Sequence, residues 1–169
     1  GGETFNNITF AGSGTKTFSS AVTSNSNVVI NSGATVDVST SNFQLNIAKN
    51  FTNNGAINTQ SGTILFNGSS AQTIGGTTIT NFYNLTINNT AGGVSLVNAE
   101  NLINTLSLNG GTFSMNSQVF TMISTAANTA RIGPITGSGN ISGNVTIQRF
   151  APGSVTGWAL FGTPMSSAL

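Results

Sequence analysis

Apolar residues in this chain alternate with small polar ones at a period of two. Ile8-Thr9-Phe10, Val36-Asp37-Val38, Phe43-Gln44-Leu45-Asn46-Ile47 and Leu85-Thr86-Ile87 show the pattern, as do Val94-Ser95-Leu96, Leu106-Ser107-Leu108, Phe113-Ser114-Met115 and Val145-Thr146-Ile147. Successive side chains of an extended strand point to opposite faces, so each of these segments puts its apolar residues on one side. The other side is Thr, Ser, Asn or Gln, with Asp37 the one charge among them. Helical spacing of apolar residues is hard to find, and Leu-Glu-Lys-rich stretches are absent. Between the strands stand Asn31-Ser32-Gly33, Asn54-Gly55, Asn67-Gly68, Gly75-Gly76, Gly92-Gly93 and Asn109-Gly110-Gly111. Such residues enter positive φ at little steric cost and are expected to form turns. The fold class is all-β.

Short strands at this spacing suit a β-sandwich or a stacked β-solenoid. An internal echo favours the solenoid. Phe5-Asn6-Asn7-Ile8-Thr9-Phe10 recurs 77 positions later as Phe82-Tyr83-Asn84-Leu85-Thr86-Ile87. Ile30 to Val36 answers Leu108 to Phe113 with a one-residue slip, and Phe43 to Ile47 maps loosely onto Val119 to Ile123. A parallel β-helix with short stacked rungs is therefore expected over residues 1–136. A C-terminal β segment, 137–169, is expected to leave it, because 137–143 is nearly all Gly, Ser and Asn.

Composition narrows the chemistry. The 169 residues include four Lys or Arg, three Asp or Glu, and neither His nor Cys; charged residues are 4% of the chain. No imidazole base, thiolate or disulfide is available, and zinc and haem lose their usual ligands. A net charge of +1 supplies no basic footprint for nucleic acid. No apolar run approaches the roughly 20 residues of a membrane span. Glu3, Asp37 and Glu100 lie far apart in sequence and are expected to be isolated solvated charges rather than a hydrolytic pair. Lys16 and Lys49 lack a Ser-x-x-Lys context, and Gly12-Ser13-Gly14-Thr15-Lys16 fails the phosphate-loop spacing, so it is expected to be a turn. No catalytic, cofactor-binding or metal-ligating residue is assigned. The eleven Phe are expected to be core.

Asn50-Phe51-Thr52-Asn53-Asn54-Gly55-Ala56, Gly62 to Gly68, Ala71-Gln72-Thr73-Ile74-Gly75-Gly76 and Phe82 to Ile87 follow one another in a recognisable succession. Over roughly residues 5–125 it resembles the β-solenoid repeat regions of large surface proteins of Bacteroidetes exported by type IX secretion. The resemblance implies an extracellular or cell-surface location and a role as stalk, adhesin or fibre, and it supplies no catalytic residue. The stretch from Asn144 through Trp158 to Pro164 is similar to the segment that leaves the solenoid in those proteins.

Solenoid ends carry unpaired backbone groups that invite pairing unless they are covered or charged. Few charges are present here to protect them. The expected function is therefore a structural, non-enzymatic filament subunit whose partner is its own copy, joined head to tail. Val145, Ile147, Arg149, Phe150, Trp158 and Phe161 are the expected junction residues. The runner-up is an adhesin stalk or binding module that recognises polysaccharide or a surface.

Overall fold

The computed structural model describes residues 2–153. It is a parallel β-solenoid of about seven turns, with no helix among the described residues. The first three rungs each have three strands. They are β1 (Glu3–Phe5), β2 (Ile8–Phe10) and β3 (Thr15–Thr17); β4 (Val22–Ser24), β5 (Val28–Ile30) and β6 (Thr35–Asp37); and β7 (Leu45–Ile47), β8 (Phe51–Asn53) and β9 (Ala56–Asn58). Later rungs are built from β10 (Thr63–Phe66) and β11 (Gln72–Gly76), then β12 (Asn81–Asn88) and β13 (Val94–Leu96), then β14 (Glu100–Gly110) and β15 (Thr112–Ser114). The stack closes with β16 (Phe120–Met122), β17 (Arg131–Ile132), β18 (Asn140–Ser142) and β19 (Thr146–Ile147).

Like strands of successive rungs pair in parallel. A nine-stranded sheet runs β1-β4-β7-β10-β12-β14-β16-β19, with β17 also on β14. A seven-stranded sheet runs β2-β5-β8-β11-β13-β15-β18, and a three-stranded sheet β3-β6-β9 covers the third side of the first rungs only. Beyond β9 that side continues as the N-terminal ends of β12 and β14, which lengthen to eight and eleven residues, and then as β16 and β19.

Stacking aligns the apolar faces read from the sequence into columns. Val22, Leu45, Ile64, Leu85 and Leu106 form one, and Ile47, Phe66, Ile87 and Leu108 another. Val28, Phe51, Ile74 and Leu96 form a third on the opposing sheet. Apart from Val22, these side chains have no exposed surface. Each contributes about 1.5–3 kcal/mol by leaving water, so the stack is held chiefly by its interior.

The rung length corrects the 77-residue echo. Pairing steps by 19 positions from Glu3 to Val22, 23 to Leu45, 19 to Ile64 and 21 each to Leu85 and Leu106. Phe5 stacks over Ser24, Ile47, Phe66 and Ile87, not over Phe82. Ile8–Phe10 lies in the seven-stranded sheet, whereas its echo Leu85–Ile87 lies in the nine-stranded one. The echo thus arises from biased composition, while the solenoid it suggested is correct.

Gly75-Gly76 is likewise not a turn but the end of strand β11. Gly76 has φ +130 and stacks on Asn53, and any Cβ there would run into the Asn53 backbone. Close approach between rungs, rather than chain reversal, requires glycine at this position.

Side-chain amides tie the rungs at one corner. Asn7 Oδ1 accepts the Asn27 N–H at 3.1 Å, Asn27 Oδ1 accepts the Asn50 N–H at 3.1 Å, and Asn50 Oδ1 accepts the Thr73 N–H at 2.9 Å. Replacing Asn27 by Ala, in the middle of this ladder, leaves a partly buried donor unpaired. The expected loss is about 1–2 kcal/mol, read as a lower urea midpoint with unchanged slope.

Candidate functional site

The first rung is open. β1, β2 and β3 each have a neighbour on one side only among the described residues. The Glu3 N–H donates to Ala21 C=O at 2.8 Å and the Asn25 N–H to Phe5 C=O at 2.8 Å. In β2 the Ile8 N–H donates to Asn27 C=O at 3.0 Å, and Phe10 C=O accepts the Asn31 N–H at 2.9 Å. In a parallel ladder alternate residues bond to opposite neighbours, so the backbone groups of Thr4 and Thr9 face the free edge. Between the open strands lies a cavity of about 310 Å³ whose apolar wall is Phe5, Ile8, Phe10, Phe18 and Val22. The Phe10 and Phe18 rings stand 6.1 Å apart within it. Glu3 is at its rim, at the head of the column that continues through Val22 and Leu45.

The last rung is open too: among the described residues β17 pairs only with β14, β18 only with β15 and β19 only with β16. Val145 and Ile147, expected at a junction, are half-buried and pack against the chain's own core. The strands after residue 136 thus continue the stack in register as far as Ile147. The Gln148 N–H donates to Met122 C=O at 3.0 Å, and the Phe150 N–H to Ser124 Oγ at 3.0 Å. These bonds hold the main chain here while the Phe150 side chain stays 45% exposed. Arg149 is exposed and lines a hollow of about 260 Å³ with Met122, Ala130, Ile132 and Ile147. Trp158 and Phe161, the remaining expected junction residues, lie outside the described residues.

The two ends share strand polarity and carry different charged side chains. Glu3 marks the first rung, and Arg149 and Arg131 mark the last. Lys16 also belongs to the first rung, but its ammonium turns back onto its own loop, donating to Gly12, Ser13 and Gly14 C=O at 2.7, 2.9 and 3.1 Å. A phosphate loop presents N–H groups to an anion. This one aims carbonyls at its own lysine, as a closed turn does.

The carboxylates are not brought together. Glu3 sits on β1, Asp37 on β6 and Glu100 on β14. Asp37 accepts hydrogen bonds from the Ser39 N–H at 2.7 Å and from Gln60 Nε2 at 3.1 and 3.2 Å. Glu100 overturns the expectation of a solvated charge, because it has no exposed surface. Among the described residues no three His, Cys, Asp or Glu are grouped to hold a metal ion. The Phe expectation holds only in part, since Phe5 and Phe150 are exposed, one at each end of the stack.

Sequence reasoning missed Phe5, Thr4 and Thr9 as end residues. Their spacing places Phe5 and Phe10 inward as in any other rung, and only the stacking order makes that rung an end. Gln72 and Asn89 were also missed. Both are buried at a corner, where Gln72 Nε2 donates to Ile47 and Lys49 C=O and Gln72 Oε1 accepts from Gly68 N–H and Asn89 Nδ2. No family model, curated protein or solved structure matches this chain.

Proposed function

We propose that this protein is a structural, non-enzymatic subunit of an extracellular filament, built by head-to-tail stacking of solenoids. One observation carries the reading: among the described residues both large sheets end in unpaired parallel strands at both ends. A second copy placed beyond the last rung would continue each sheet, β17 meeting β1 at the end of the Glu3 column and β18 meeting β2, without reversing strand direction. Main-chain hydrogen bonds would supply affinity across such a junction, and alternate side chains would supply fit. The 310 Å³ hollow at the first rung would take an apolar side chain such as Phe150, and Glu3 would face a cationic rather than a like-charged end. A heterologous contact that does not close yields an open polymer. The extracellular location and type IX export belong to the same proposal and rest on the sequence resemblance.

Negative-stain microscopy of purified protein tests the reading, with regular unbranched polymers expected without added ligand. Dispersed monomers that bind a polysaccharide on a glycan array would instead favour the adhesin alternative. The tail's role needs a cut that spares the stack, because 140–147 complete the last rung. Truncation after Gln148 removes Arg149, Phe150 and everything beyond. It is expected to shorten or abolish the polymers while the circular dichroism spectrum stays that of a β-protein. Unchanged polymers would remove the tail from the junction.

A further inference from the structure

Of the four Lys or Arg and three Asp or Glu, four side chains are engaged within the chain's own fold. Lys16 turns its ammonium onto the carbonyls of its own loop, and Lys49 Nζ donates to Ser70 Oγ at 3.4 Å. Asp37 accepts from the Ser39 N–H and from the Gln60 and Asn58 amides, and Glu100 is buried, accepting from the Thr80 N–H. The other three stand at the ends of the stack: Glu3 at the first rung, Arg131 and Arg149 at the last.

The stacking order puts Glu3 and Arg149 at matching places on opposite ends. Glu3 pairs with Val22 and so heads the column that runs through Leu45, Ile64, Leu85 and Leu106 to Ile132. A carboxylate thus holds the first place of a column that is otherwise apolar. Ile132, the last member, lines the hollow of about 260 Å³ at the other end, together with Met122, Ala130 and Ile147. Arg149, two positions past Ile147, lines the same hollow and is exposed. Arg131 lines it as well, but its Nη1 donates to Asn104 Oδ1 at 3.0 Å. The hollow therefore combines apolar walls with an exposed guanidinium.

We propose that the Glu3 carboxylate of one copy seats in this hollow of the preceding copy and pairs with its Arg149. This pair rests on the head-to-tail reading above and supplies its specific contact. Continuing the column by one more rung, about 4.8 Å further on, sets Glu3 over Ile132. There the carboxylate leaves water, and a buried carboxylate is tolerated only where a cation or several donors meet it. A planar guanidinium can serve both of its oxygens. The wrong contacts are penalised: two first rungs would set Glu3 against Glu3, and two last rungs Arg149 against Arg149. Head-to-tail order then follows from charge as well as from strand polarity.

Exchanged charges test the pair at neutral pH and low salt, where screening is least. Glu3→Arg alone and Arg149→Glu alone each give a copy whose two contact residues carry like charge. Each is expected to keep the wild-type circular dichroism spectrum and to raise the critical concentration at least about tenfold. An equimolar mixture of the two is expected to polymerise within about threefold of the wild-type concentration, because every junction of an alternating polymer joins opposite charges. The double variant Glu3→Arg, Arg149→Glu reverses the pair within one chain and should polymerise by itself, which keeps the test decisive where a single variant folds poorly. Recovery by the mixture or by the double variant supports the pair. If either single variant polymerises as the wild type does, or if neither combination recovers, the pair is overturned while the filament reading stands. A wild type that forms no polymers overturns both.

Discussion

Phe51→Ala is expected to cost about 3–5 kcal/mol, most of the stability of a marginal domain. Phe51 has no exposed surface and sits mid-stack, between Val28 and Ile74 in its column. Its ring centroid lies 6.5 Å from that of Phe66 and 6.3 Å from that of Phe82. Truncation removes the transfer energy of the ring and leaves a hole that the rungs on either side cannot close. They cannot close it because their spacing of about 4.8 Å is fixed by the parallel ladders. The position matters as much as the residue. A solenoid is stabilised by its own rungs and by nearest-neighbour contacts, so a defect in the middle uncouples two half-stacks. Phe18, slightly exposed beside the open first rung, makes the comparison. Phe18→Ala should cost clearly less than Phe51→Ala, and Phe51→Ala should split the urea transition in two. A loss below about 1 kcal/mol at Phe51 would contradict the columnar core described above.

The interior of this fold was legible because a parallel stack repeats one simple rule. Val36 and Val38, Leu85 and Ile87, Leu106 and Leu108, and Phe113 and Met115 were all read as inward from alternation, and all are buried. The corners were not legible by that rule. There a side chain can turn inward whatever its polarity, as Gln72 and Asn89 do, provided backbone groups meet it. Residue type alone assigned Glu100 to solvent. Yet it pairs with the buried Phe120 and shares the inward face of β14 with Leu102, so alternation rather than charge set its side. Rung lengths meanwhile range from 19 positions between Glu3 and Val22 to 28 between Phe113 and Ile141. Uneven rungs also hide the period, which is why composition imitated a 77-residue repeat. Junction residues depend on the ends of the stack, and alternation is blind to ends. It marked Val145 and Ile147 correctly as apolar and inward, yet they serve the chain's own last rung.

A Thr4→Pro, Thr9→Pro double variant should fold and fail to polymerise. The inward hydrogen bonds of the first rung are made by Glu3, Phe5, Ile8 and Phe10, so neither substitution removes a donor used within the chain. Each removes an N–H at the free edge and places a pyrrolidine ring there, where a neighbouring strand would have to approach. Natural edge strands are blunted by the same device. Losing two junction hydrogen bonds at about 1 kcal/mol apiece already corresponds to more than a tenfold rise in critical concentration, before the steric term. Thr52→Pro supplies the contrast: β8 lies between β5 and β11, so a proline there should destabilise the fold itself. Sedimentation and negative stain separate the cases. The edge variant should be a folded monomer at concentrations where the wild type forms polymers. If it polymerises as readily as the wild type, the sheets do not continue across the junction, and the copies must meet through their sides. That outcome would turn attention to the exposed apolar residues Ile79, Val97 and Val119.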